Sequence, residues 1–133
     1  MVSDKHYIHA CGLTDRFDTD ESAVDGLFKQ IQADTDHFSA DGAYDSYGMY
    51  DLINNKFPSA EISIPPDKNA KISDSNHVLR NHNLELIAKH GRMNWQKKTQ
   101  YGRRNGSELG MQRYKRIISR SMYSRDFDNQ KQE

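Results

Sequence analysis

Between residues 7 and 64 short apolar stretches alternate with stretches of helical spacing, and that order restricts the fold more than any other feature of the chain. Tyr7-Ile8-His9-Ala10-Cys11-Gly12-Leu13 alternates weakly and runs into glycine, as a strand entering a loop does. Ser22 then stands where a helix cap would, ahead of Val24, Leu27, Phe28 and Ile31 at helical spacing, which predicts a helix over 22–33. His37-Phe38-Ser39-Ala40 fits a second strand, Met49, Leu52 and Ile53 a helix over 46–55, and Glu61-Ile62-Ser63-Ile64 a third strand stopped by Pro65-Pro66. Strand, helix, strand, helix, strand is the order of an α/β sheet with parallel crossovers. Beyond it, 67–75 reads as a polar loop and 76–90 as a helix closed by Gly91. A basic connector carrying Trp95 leads to a last helix over 107–121.

A chain of 133 residues holds one modest domain, and a hydrophobic fraction of 35% predicts a thin core. No apolar run approaches the roughly 18 residues of a membrane span, and residues 1–6 lack the apolar stretch of a secretory signal, so the expected compartment is the cytoplasm. The single cysteine, Cys11, leaves no internal disulfide and reads as a small buried residue. The formal net charge of zero is unevenly spread: residues 1–50 carry three basic and ten acidic side chains, residues 76–133 thirteen basic and five acidic. The C-terminal part is therefore the candidate surface for a polyanion, with Lys97, Lys98, Arg103 and Arg104 at its centre.

Chemistry concentrates in two places. Tyr101, Arg104, Glu108 and Lys115 fall on one stripe about 60° wide on an ideal helix, a carboxylate flanked by cations. Met111, Tyr114, Ile117 and Ile118 occupy another face, expected to pack on a core. A surface ion network would account for the stripe equally well by spacing alone. Upstream, Ala40-Asp41-Gly42-Ala43-Tyr44-Asp45 puts Asp41 at the end of the second strand, where an open α/β sheet faces its ligand crevice. An Asx-turn is the plain alternative for Asp41, and Asp45 is the expected cap of the following helix.

These two blocks, in this order, resemble bacterial insertion-sequence transposases with a DDE catalytic domain. Tyr-x2-Arg-x3-Glu-x6-Lys is similar to that family's signature around its third catalytic carboxylate, and all four positions are filled here; the Asp41 block is similar to the motif of the second. Leu13-Thr14-Asp15, Ile64-Pro65-Pro66 with Lys68-Asn69-Ala70-Lys71, and Arg125-Asp126-Phe127 extend the similarity over residues 7–133. The resemblance implies a ribonuclease H-like α/β fold without its first two core strands, with C-terminal helices, spanning residues 1–125 ahead of a polar, frayed tail. It implies Asp41 and Glu108 as catalytic ligands of two magnesium or manganese ions, which take oxygen ligands. It assigns Tyr101, Arg104 and Lys115 to the DNA phosphate backbone, at transposon ends, beside Lys97, Lys98 and Arg103 from the charge pattern.

One position departs from the family: no residue matches the first Asp. Asp4 is the sole carboxylate ahead of the Leu13-Thr14-Asp15 match, and its Ser-Asp-Lys context reads as a turn. The expectation is thus a transposase C-terminal part, inactive alone, associating with itself or with full-length transposase through an uncovered strand edge. A DNA-binding or regulatory module without catalysis is the alternative. A metal-dependent phosphohydrolase drawing on His77, His82 or His90 is the remaining one.

Overall fold

The computed structural model describes residues 1–3, 5, 7–12, 19–73, 77–117, 123–124 and 127–132. The chain is mixed α/β, mostly helical, and divides into two compact units: Met1–Ile31 with Asn105–Glu133, and Gln32–Arg104.

The second unit is built on a short parallel pair of strands. β1 (His37–Ser39) lies beside β2 (Glu61–Ser63), with Phe38 opposite Ile62. Between them run a 3-10 turn, Gly42–Tyr44, and helix α2 (Tyr47–Lys56). Ser46 starts α2 by accepting the Met49 N–H at 3.2 Å. Met49, Tyr50 and Ile53 recur on one face and, with Phe57 just past the helix, are buried with Ile62 and Ile64. Full burial of side chains such as Ile53 and Ile64 contributes roughly 1.5–3 kcal/mol each.

α3 (Val78–His90) and α4 (Arg92–Lys98) complete this unit and pack on one another. Gly91 joins them at φ 78°, a left-handed value that a side chain disfavours. The basic connector expected around Trp95 is thus a helix, because the chain turns back at Gly91 and Trp95 drops fully into the core. Gln100 follows at φ 52°, and a second 3-10 turn, Tyr101–Arg103, leads on.

A buried polar group ties these pieces together. The Trp95 indole N–H donates to the Asn83 side-chain oxygen at 2.9 Å, and the Asn83 amide donates to the Ile62 carbonyl at 3.0 Å and the Tyr50 hydroxyl at 3.1 Å. A second group joins the strands to the end of α4: His37 Nε2 lies 2.8 Å and Ser63 Oγ 2.9 Å from the Thr99 carbonyl. A carbonyl only accepts, so Nε2 carries the imidazole proton.

In the first unit, α1 (Asp20–Gln30) is capped by Thr19, whose hydroxyl accepts the Ser22 N–H at 3.2 Å; the expected cap, Ser22, lies inside the helix. Val24 and Phe28 of α1 are buried, as are Ile31 and Ala10. The first expected strand is not formed: residues 7–12 contribute one isolated antiparallel bridge, Ile8 to Val2. Weak alternation ending at Gly12 offers no apolar face for a neighbouring strand to cover. Cys11 is exposed rather than buried, its backbone bonded on both sides to the Gln30 amide. α5 (Arg104–Ile117) begins three residues before the expected start, and α6 (Phe127–Gln132) forms where a frayed tail was expected. Leu13-Thr14-Asp15, Asp4 and Arg125-Asp126 lie outside the described residues.

The apolar face read on α5 is not a packed face. Met111 and Tyr114 are exposed and Ile117 is 79% exposed; the buried α5 residue among those described is Gly110, and Ile118 lies outside them. Helical periodicity marks which residues can share a face, but a face is buried only where another element covers it. No helix among the described residues is long and apolar enough to cross a membrane.

Two measurements check the buried network. Asn83→Ala should cost at least about 2 kcal/mol by urea unfolding, because the Trp95 N–H and the Ile62 carbonyl lose a buried partner; Trp95, the sole tryptophan, reports the loss directly. Burial pushes the Tyr50 phenol from 10.0 up to about 12. The folded state therefore keeps a proton that the unfolded chain releases, and stability should fall as pH rises from 10 towards 12. Tyr50→Phe should flatten that fall.

Candidate functional site

Of the residues singled out in the sequence, Asp41 and Arg104 meet just past the C-terminal end of β1. Asp41 stands two residues beyond β1. Its Oδ1 accepts the Ala43 N–H at 3.3 Å, opening the 3-10 turn, and its Oδ2 accepts from the Arg104 guanidinium at 3.1 Å. The Asp41 side chain remains 58% exposed, so this ion pair is screened by water and contributes within roughly 0.2–1 kcal/mol.

Gly42 is required by its neighbour. A Cβ there would sit 3.0 Å from the Pro65 carbonyl oxygen, so the loop after β1 and the loop after β2 run at contact distance. That close approach explains the glycine after Asp41 without reference to any motif.

Asp45 behaves differently from its expected role. The cap of α2 is Ser46, and the Asp45 carboxylate turns inward to meet Arg80 in a two-point bond, Nε to Oδ1 and Nη2 to Oδ2, both 2.9 Å. It also accepts the Asp67 N–H at 3.2 Å, while Arg80 reaches the Lys71 carbonyl at 3.4 Å. With 3% of its side chain exposed, Asp45 needs a fully matched cation, and a planar fork supplies one. Sequence reasoning missed Arg80, since spacing gives no signal for a partner 35 residues along the chain.

The second block is laid out along the end of this unit and the start of α5. Tyr101 sits on the 3-10 turn, not on α5, with its ring 5.5 Å from that of Trp95. The Arg104 guanidinium lies 5.9 Å from the Tyr101 ring centre while it bonds Asp41. The stripe expected on one helix is thereby split: Arg104, Glu108 and Lys115 lie on α5, Tyr101 ahead of it. Glu108 and Lys115 are exposed and belong to the other compact unit.

Lys97, Lys98 and Arg103 are exposed in the second unit. Lys98 donates to His90 Nε2 at 2.9 Å, and Arg103 reaches the Gln100 side-chain oxygen at 3.5 Å. Desolvation, with Lys98 and Lys89 nearby, lowers the His90 pKa below its ordinary value. His77 stacks on Tyr47 with ring centres 4.0 Å apart.

Among the described residues no three His, Cys, Asp or Glu side chains group to hold a metal ion. Both Asp41 oxygens already accept hydrogen bonds. Each carboxylate oxygen keeps a further lone pair, so these bonds leave Asp41 able to accept from another group. No family model matches the sequence, and no solved structure matches the chain.

The two carboxylates of the Asp41 block predict opposite mutational costs. Asp45→Ala should lose about 3–5 kcal/mol by strand- and helix-unit unfolding followed at Trp95, since Arg80 is left buried and unpaired. Asp41→Ala should stay within about 1 kcal/mol. Equal losses would mean that burial does not separate the two carboxylates.

Proposed function

We propose that this chain is part of a DDE-type transposase catalytic region, that Asp41 and Glu108 correspond to its second and third carboxylates, and that its substrate is DNA. The observation that carries the reading is the hydrogen bond between Arg104 and Asp41, which joins the two resembling blocks across 63 residues of sequence. Helical spacing alone gives no reason for Arg104 to meet Asp41. The place of Asp41, just past the carboxyl end of a parallel strand, is where α/β sheets hold their ligands.

In this reading Arg104 and Lys115 bind the phosphate backbone, the former with a planar fork suited to two phosphate oxygens. The Tyr101 ring, 5.9 Å from the guanidinium, helps to orient Arg104. Lys97, Lys98 and Arg103 extend the cationic surface. In the resembling family, divalent magnesium supplies activation of the attacking oxygen and stabilisation of the leaving one at a phosphodiester. No residue here corresponds to the first carboxylate, so the activity expected of the chain by itself is DNA binding. The exposed lysines and arginine outside both blocks favour the same outcome for a module that binds DNA without cutting it.

Affinity for duplex DNA should be weak, nonspecific and steeply salt-dependent, because it would arise from released counterions. Replacing Lys97, Lys98, Arg103 and Arg104 together should flatten the plot of log K against log salt by up to about 3–4 units of slope. An unchanged slope would move the contact surface elsewhere. Incubated with inverted-repeat DNA and Mg²⁺ or Mn²⁺, the chain should neither nick nor join strands. Cleavage that vanishes in Glu108→Ala would show that another carboxylate completes the site.

A further inference from the structure

The loop after β2 and helix α3 enclose a cavity of about 340 Å³ within the second unit, near the lower end of the roughly 300–1,000 Å³ of small-molecule sites. Leu84, Ile87 and Ala88 of α3 give it an aliphatic wall, and Pro66, Lys68 and Arg92 complete most of its lining. Leu84 and Ile87 are half-buried, so part of their apolar surface stays open on this side. The loop wall is held by polar bonds along its length. The Pro66 carbonyl accepts from Arg92 Nη2 at 2.6 Å, the Asp67 N–H donates to Asp45 at 3.2 Å, and the Lys71 carbonyl accepts from Arg80 at 3.4 Å. A wall fixed in this way needs little ordering when something fills the cavity.

The charge around the cavity is uneven. Asp67 spends Oδ1 on the Asn69 N–H at 2.8 Å, whereas neither Lys68 nor Arg92 has an ion-pair partner among the described residues. An aliphatic wall beside two uncompensated cations is complementary to a ligand apolar at one end and anionic at the other. No lining residue is aromatic, so the cavity lacks the stacking surface that a nucleobase takes.

We propose that this cavity binds a small amphipathic anion, its aliphatic body against Leu84, Ile87 and Ala88 and its carboxylate or phosphate head on Lys68 and Arg92. Burial of the body takes apolar surface out of water, and the head gains charge-assisted hydrogen bonds. Arg92 can serve the head while it keeps Pro66, because a guanidinium carries five N–H donors. The site lies apart from Asp41 and Arg104 and does not rest on the DNA reading.

The test titrates the ¹⁵N-labelled full chain with hexanoate, hexyl phosphate, hexanol and inorganic phosphate, following the amide signals of Ala70, Leu84, Ile87 and Ala88. Hexanoate and hexyl phosphate should shift these signals saturably, and the tighter of the two identifies the head group that the site takes. Hexanol and inorganic phosphate, each with half of the required chemistry, should bind more weakly than either. Lys68→Gln removes a cation that makes no hydrogen bond or ion pair among the described residues, and should weaken the better ligand by about threefold to fivefold. Ala88→Leu, at an exposed position of α3, should fill the cavity and abolish the shifts, with Trp95 emission verifying that both variants keep their fold. Hexanol matching hexanoate would overturn the role of the cations, and inorganic phosphate matching hexyl phosphate would reduce the site to a cationic surface. No saturable shift with either amphiphile, or titrations unchanged by both substitutions, would overturn the cavity as a binding site.

Discussion

The second unit depends on one side-chain amide. Asn83 lies on α3, yet its partners come from α2, β2 and α4, and each would be a buried polar group with no water to turn to if the amide were absent. An apolar residue of the same shape would fill the space but leave the indole N–H and a carbonyl stranded. Such a network specifies as well as stabilises: only one placement of α4 brings Trp95 onto Asn83, and that placement carries Tyr101 and Arg104 to the strand edge.

Asp41 and Asp45 sit four residues apart and differ in almost everything that matters to a carboxylate. Asp45 is enclosed, bonded at both oxygens by one guanidinium, and holds together two loops and a helix. Asp41 is open to water and shares a single N–H of Arg104. Burial makes the first pair obligatory, because an uncompensated charge in a dry environment is costly; exposure makes the second exchangeable.

Much of the second unit was legible in the sequence. Phe38 and Ile62 mark two short strands, the Met49, Leu52 and Ile53 spacing marks α2, and Gly91 marks the end of α3, because periodicity and a forced backbone angle are local properties. The Asp41–Arg104 and Asp45–Arg80 pairs were not legible as pairs, since charge partners are chosen by the folded path of the chain and not by spacing. The same reasoning explains the first unit, where the apolar residues of α5 formed a readable face that nothing among the described residues buries, and where residues 7–12 alternated too weakly to pair. The ribonuclease H-like fold expected from resemblance is matched here only at the coarser level of a mixed α/β chain with one parallel pair.

Gln100 holds an unusual backbone angle. It adopts φ 52° and ψ 28° immediately after α4, a left-handed setting that costs a residue with a side chain about 1–2 kcal/mol. The bend it makes reverses the path of the chain so that the turn beginning at Tyr101 lies back against Trp95. The path of the chain ahead of Arg104 is therefore set by tertiary packing against the preference of its own backbone.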